Sequence, residues 1–169
     1  MQVYSDLAGG TFRDTFSSLG PDNEGWRFDG WALDDDDAGH QNSQSIRAEV
    51  APSFSSQKQV RVAAISFALG SWSRIAYARK LMLHRANIGA TARFQISVSD
   101  GSHVIPIEDI NLKGDQLDYS ENWERVEQKL DLTRLSGQSA MLNLTLSASD
   151  VIALPLTKGT VNVDNIWID

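Results

Sequence analysis

The chain contains no cysteine, which removes disulfides, thiolate zinc sites, iron–sulfur clusters and cysteine nucleophiles together and leaves the redox compartment open. Proline is scarce, at 4 of 169 residues, and no Pro-rich linker, internal repeat or low-complexity tract divides the sequence, so residues 1–169 read as one domain. No apolar run approaches the ~18 residues of a membrane helix. Met1-Gln-Val-Tyr-Ser-Asp-Leu lacks the basic and apolar regions of a signal peptide. The expectation is a domain with no membrane partner, its export signal absent or removed with the rest of a longer chain. Catalytic signatures are lacking too: there is no Gly-x-Ser-x-Gly elbow, His-Glu-x-x-His, phosphate loop or EF-hand loop. His40, His84 and His103 offer near-neutral acid–base groups, and they fall in different candidate elements.

What is present begins with charge. The net charge of −7 argues against nucleic acid as the main partner. The total hides a segregation: residues 1–50 hold 10 acids and 3 bases, residues 51–99 hold 7 bases and no acid, and residues 100–169 hold 12 acids and 5 bases. Basic strands can lie beside acidic ones and cancel across a sheet, or they can form an anion-seeking face.

The most legible segment is Ala92–Gly101, where Phe94, Ile96 and Val98 alternate with Arg93, Gln95, Ser97 and Ser99 before an Asp-Gly turn. Ala140–Ser147 repeats the pattern with Leu142, Leu144 and Leu146 on one side. Further strands are expected over Gln44–Val50, Gln59–Leu69, Ser102–Ile107, Trp123–Leu130 and Val161–Ile168. Ser73–Ala86 is ambiguous. It is rich in helix formers behind a capping serine, yet Ile75, Tyr77, Leu81 and Leu83 alternate, which favours a strand over Lys80–Arg85. The strand count and punctuation predict an all-β fold, a single antiparallel β-sandwich.

Two kinds of residue carry candidate chemistry. Glu121-x-x-Glu124-x-x-Glu127 and Glu108-Asp109 could supply the paired carboxylates of a glycoside hydrolase or polysaccharide lyase, although acids so spaced are also what a solvated face looks like. Five tryptophans are the better clue, because indole stacks on flat partners, sugar rings included. Trp26, Trp31, Trp123 and Trp167 suit packing. Trp72 stands in a small-residue loop, Gly70-Ser71-Trp72-Ser73, with Arg74, Tyr77 and Arg79 following.

The end of the chain, Gly159-Thr-Val-Asn-Val-Asp-Asn-Ile-Trp-Ile-Asp169, resembles the closing strand of jelly-roll carbohydrate-binding modules of the galactose-binding-domain-like superfamily. Three earlier pieces fall in the matching order: Phe12-Arg-Asp-Thr-Phe16 leading to Gly25-Trp26 and Gly30-Trp31, then Gly39 to Arg47, and Trp123 to Gln138 before the Leu142–Leu146 strand. The resemblance implies a jelly roll that binds a polysaccharide or oligosaccharide without chemistry of its own. Such modules are usually attached to a catalytic domain in an exported, extracellular or cell-surface chain. It also implies a structural Ca²⁺, for which Asp164 and Asp14 are the candidate ligands. The ligand-binding residues expected for that role are Trp72, Tyr77, Arg79 and Gln95, with Trp31 and Asn143 behind them. Were the glycan anionic, Arg74, Arg79 and Arg93 would supply charge-assisted hydrogen bonds. The same fold also serves as a structural or interaction domain in enzymes, surface proteins and virions, where the tryptophans would anchor protein contacts.

Overall fold

Side chains leave a strand on alternate faces, so Leu142, Leu144 and Leu146 must share one side and need a second apolar layer to cover them. A computed structural model, describing residues 12–14, 25–34, 44–53, 56–151 and 156–169, supplies that layer as an antiparallel two-sheet jelly roll. His40 and the acidic run after Asp34 lie outside the described residues, and Asp14 enters through its backbone alone.

Eleven strands are described: β1 (Phe12–Asp14), β2 (Trp26–Asp29), β3 (Trp31–Asp34), β4 (Ser45–Val50), β5 (Lys58–Ala68), β6 (Arg74–His84), β7 (Thr91–Ser99), β8 (Val104–Asn111), β9 (Asp118–Lys129), β10 (Ser139–Ser149) and β11 (Lys158–Ile168). The first sheet runs β3-β4-β11-β6-β9, with β1 also paired to β11; the second runs β2-β5-β10-β7-β8. From β4 onward the chain crosses between sheets at nearly every connection, β7 and β8 being the exception, a hairpin whose Asp-Gly turn places Gly101 at φ +92°. At Gly30 (φ +71°), where the chain passes from β2 to β3, a Cβ would fall 2.0 Å from the Arg61 side chain, so another residue would have to displace that side chain and hold a strained backbone.

The two inner faces meet in one core. Ile46, Ile75, Tyr77, Leu81 and Leu83 from the first sheet pack against Ile65, Phe94, Ile96, Leu142, Leu144 and Leu146 from the second, all essentially solvent-free. Trp26 and Trp31 belong to this core, Trp26 stacking on Phe28 with centroids 5.8 Å apart.

Segment 73–86 is a strand, and it begins at Arg74 rather than Lys80. Helix propensity yields here because β6 is hydrogen-bonded on both sides, to β11 and β9, and buries every inward residue. Likewise β9 begins at Asp118 rather than Trp123, and β8 reaches Asn111 rather than ending at Ile107.

The charge segregation resolves across strands. Basic β6 lies against acidic β9, and Arg93 of β7 pairs with Asp109 of β8. Arg79 of β6 bridges Glu121 of β9 and Glu108 of β8 in the opposite sheet.

Candidate functional site

Register decides which side chains share a surface. Asn162 of β11 stands opposite Arg47 on one side and Lys80 on the other, while Thr160 stands opposite Glu49 and Met82. Met82 in turn faces Ser120 of β9. Opposed residues of antiparallel strands project to the same side, so these form a continuous strip on the outer face of the first sheet. A cleft of about 410 Å³ lies there, lined by Arg47, Lys80, Met82, Ser120, Asn122, Thr160 and Asn162 among others. Met82, 42% exposed, contributes apolar surface to an otherwise hydrogen-bonding wall. The β6–β9 register slips between Arg79 and Leu81, the kind of irregularity that bends a strand and re-aims its side chains.

Asn162 is the most enclosed member of the strip, 3% exposed. Its amide nitrogen donates to Asp34 Oδ2 at 2.8 Å and to Ser45 Oγ at 3.0 Å. Asp34 lies 3.5 Å from the Arg47 guanidinium, whose other arm bonds Glu49. These carboxylates, Glu49 first, hold the arginine's proton more firmly than usual.

The residues expected from sequence lie elsewhere, in three places. Tyr77 and Arg79 sit in the seam between the sheets. The Tyr77 hydroxyl donates to Glu108 Oε2 at 2.7 Å, and burial, followed by that carboxylate, pushes its pKa up. Arg79 is 5% exposed and donates to Glu108 at 2.8–3.1 Å and to Glu121. Gln95, Arg93 and Asn143 share the outer face of the second sheet. There Asn143 donates to Ser99 Oγ and the Met141 carbonyl at 3.2 Å, and Arg93 makes a two-pronged pair with Asp109 at 2.7 and 2.6 Å. Trp72 and Arg74 lie at the end of the first sheet. Arg74 is paired with Asp169 at 2.9 and 2.6 Å. Trp72 is half-buried, with its indole N–H donating to the Ala68 carbonyl at 2.8 Å, in a groove beside Leu130, Leu132 and Leu135.

Two stacking expectations need correction on burial. Tyr77 is fully buried and Trp31 is 5% exposed; both rings fill the core because their positions alternate with outward residues of β6 and β3, and neither offers a face to a sugar. The sequence reading also passed over Asn162, Thr160, Lys80 and Met82. Its one available signal was the alternation Val161-Asn162-Val163, which puts Asn162 opposite the core-facing valines.

The carboxylates that could have served catalysis are largely engaged in ion pairs. Glu108 and Glu121 hold Arg79, Asp109 holds Arg93, and Glu127 lies against Arg125 and Arg74. His84 and His103 contact Asp118 and Asp100 on the surface. Asp164 is fully buried at a register break in β11, where its Oδ1 accepts the Asn165 N–H at 2.6 Å and Asn165 adopts φ 53°. The Asp14 backbone pairs with Ile166, just past that break. Among the described residues no three His, Asp or Glu side chains converge.

No protein-family model matches the chain, and no curated protein matches it. Solved structures do. The cleaved adhesin domain of Lys-gingipain from Porphyromonas gingivalis aligns with a TM-score of 0.57 at 11% identity, over 95% of this chain and 98% of that one. The C-terminal family 22 carbohydrate-binding module of Clostridium thermocellum Xyn10B aligns with a TM-score of 0.50 at 15% identity, over 96% and 95%. A family 27 module of Caldicellulosiruptor saccharolyticus, in complex with mannohexaose, aligns with a TM-score of 0.50 at 10% identity, over 83% and 82%. This sandwich resembles carbohydrate-binding modules. At such identities the likeness is one of fold, an all-β jelly roll of two packed sheets.

Proposed function

We propose that the domain binds a polysaccharide or oligosaccharide without acting on it, in the cleft across the outer face of the first sheet. One observation carries this reading: hydrogen-bonding side chains line a cleft built on strands, and one of them, Asn162, is fixed by two partners. Sites on strands hold their geometry better than sites on loops, and hydroxyl-rich ligands need such fixed polar groups beside apolar surface, here Met82. Trp72 is a further stacking surface outside the cleft. The fold shared with carbohydrate-binding modules supports an ancillary role beside a catalytic domain in an exported chain. A structural Ca²⁺ belongs to the same proposal. The donor chemistry fits a hard cation: Asp164 brings a buried carboxylate to a break in β11 opposite β1, which carries Asp14. If Ca²⁺ is bound there, chelation lowers the melting temperature; an unchanged melt removes the metal.

Affinity electrophoresis against a panel of soluble polysaccharides tests the main reading. Retardation by at least one glycan, weakened about tenfold in affinity in a Lys80→Ala/Met82→Ala double variant with an unchanged melting temperature, is the expected result. Retardation by none refutes it.

A second reading has its own support in the adhesin-domain likeness. In it the module is a structural or attachment domain, its partner a protein. Stable association with a neighbouring domain, together with silence on every glycan, would favour that role.

A further inference from the structure

We propose that Asn162 is the ligand-reading group of the cleft, that it accepts a hydroxyl proton through Oδ1, and that Asp34 and Ser45 are the positioning residues that fix this orientation; the inference rests on the carbohydrate reading above. A side-chain amide carries two N–H donors and one carbonyl acceptor. Both donor directions of Asn162 are taken, by Asp34 Oδ2 at 2.8 Å and Ser45 Oγ at 3.0 Å. Turned over, the amide would set its carbonyl oxygen against the Asp34 carboxylate, acceptor against acceptor in a site 3% exposed. The flip is therefore decided by the network, and Oδ1 is the atom left for the cleft. No described residue donates to it.

The chemistry of the ligand follows. A hydroxyl donates to Oδ1; a carboxylate or sulfate cannot, and an O-acyl group at that position removes the proton. Thr160 and Ser120, which share the strip, have hydroxyls that serve as donor or acceptor by rotation, so discrimination falls on Asn162. Of the two cations that flank it across the strands, Arg47 is paired with Asp34 and Glu49, and Lys80 is not free either. The cleft is thus built for a neutral glycan with an unsubstituted hydroxyl at the contacted position.

Calorimetry with mannohexaose and xylohexaose as neutral probes and hexagalacturonate as the anionic one tests this. The wild-type chain is expected to bind a neutral probe more tightly than the anionic one. Asp34→Asn supplies an N–H that lets Asn162 turn over, and affinity for the neutral probe should fall about tenfold or more, the size of a hydrogen bond lost to an opposed donor. Ser45→Ala removes one acceptor and should cost less. Tighter binding of hexagalacturonate, or an Asp34→Asn variant that binds as wild type does, overturns the inference while the carbohydrate reading stands. Silence on all three probes, with other polysaccharides silent as well, takes both down. Should Asp34→Asn fail to fold, the side-chain amide protons of Asn162 in the wild-type chain decide: slow exchange of both supports the fixed orientation, and exchange at the free-amide rate overturns it.

Discussion

The two sheets expose unlike outer faces. The second sheet shows neighbouring rows of small uncharged groups, Ser97, Ser99, Asn143, Thr145 and Ser147 among them, and Arg93 there is neutralised by Asp109. The first sheet carries Arg47, Glu49, Lys80, Lys158 and Asp118 around Asn162, together with a cleft and two register breaks, one of them at the inner pair β11–β6, whereas the one register break of the second sheet falls at its β7–β8 edge. Regular strands give a plain surface, because an unbroken period of two repeats one environment. Irregular strands give a shaped one, since a bulge re-aims neighbouring side chains. The functional candidate therefore falls on the less regular sheet.

The sharpest test of this contrast compares two arginines of the basic segment. Arg79 is buried between the sheets and bonded to Glu108 and Glu121; Arg93 lies half-exposed on the second sheet's open face with Asp109. Removing one partner of a buried pair strands the other charge, so Arg79→Ala should cost about 3–5 kcal/mol of unfolding free energy. Arg93→Ala should cost about 0.2–1 kcal/mol, the range of solvent-screened pairs. Urea denaturation reads both, and equal losses would mean that the seam is no more buried energetically than the open face.

Next in size is the division of binding between the faces. Lys80→Ala with Met82→Ala on the first sheet should weaken glycan binding about tenfold, or ~1.4 kcal/mol. Gln95→Ala with Asn143→Ala on the second should leave it unchanged. The reverse outcome would move the site to the outer face of the second sheet, where Gln95 and Asn143 stand.

How far each strand could be read from sequence has a physical origin. β7 and β10 are central strands with one solvated face, so their alternation is complete and legible from residue identities. Gln95 and Asn143 were visible for that reason. β6 was harder because Arg79 occupies an inward position between Tyr77 and Leu81; the period of two runs through a charge whose partners come from β8 and β9. In β9 the register shift interrupts the period, so only the part from Trp123 onward was legible as a strand. Asn162 was the least legible. Its role depends on Asp34 and Ser45, 128 and 117 residues away, and no local pattern announces which distant groups will meet. The closing-strand motif was readable as a fold signature, while the residue inside it that faces the cleft was not.

Acid should separate the two regions more gently. The Tyr119 hydroxyl, then Arg79, holds the Glu121 carboxyl below its ordinary range, and Arg93 does the same for Asp109. Depressed folded-state values mean that both contribute stability present above the unfolded pKa, near 4, and lost as pH falls through the folded value. Melting temperature should therefore hold from neutrality to about pH 5 and fall below about pH 4. Glu121→Gln and Asp109→Asn should each flatten the fall. Half-molar salt should erase the Asp109 share, which is screened at the surface, and spare more of the Glu121 share, which leans on a buried arginine. A salt effect of the same size on both would remove the distinction.

The smallest expected effect is a null one, and it bears on the ligand. Arg74, Arg79 and Arg93, the three cations suited to an anionic glycan, are each bonded to carboxylates from other strands or the chain end. Charge neutralised in place attracts little from solution, so these three arginines offer an anion no long-range pull. Glycan affinity should change less than about twofold between 50 and 500 mM salt, a range over which the Debye length shrinks from about 14 to about 4 Å. A steep loss would show an unneutralised cation at the ligand. If Arg93→Ala then abolished that salt dependence, binding would belong to the plain face of the second sheet, and the cleft on the first would lose its claim.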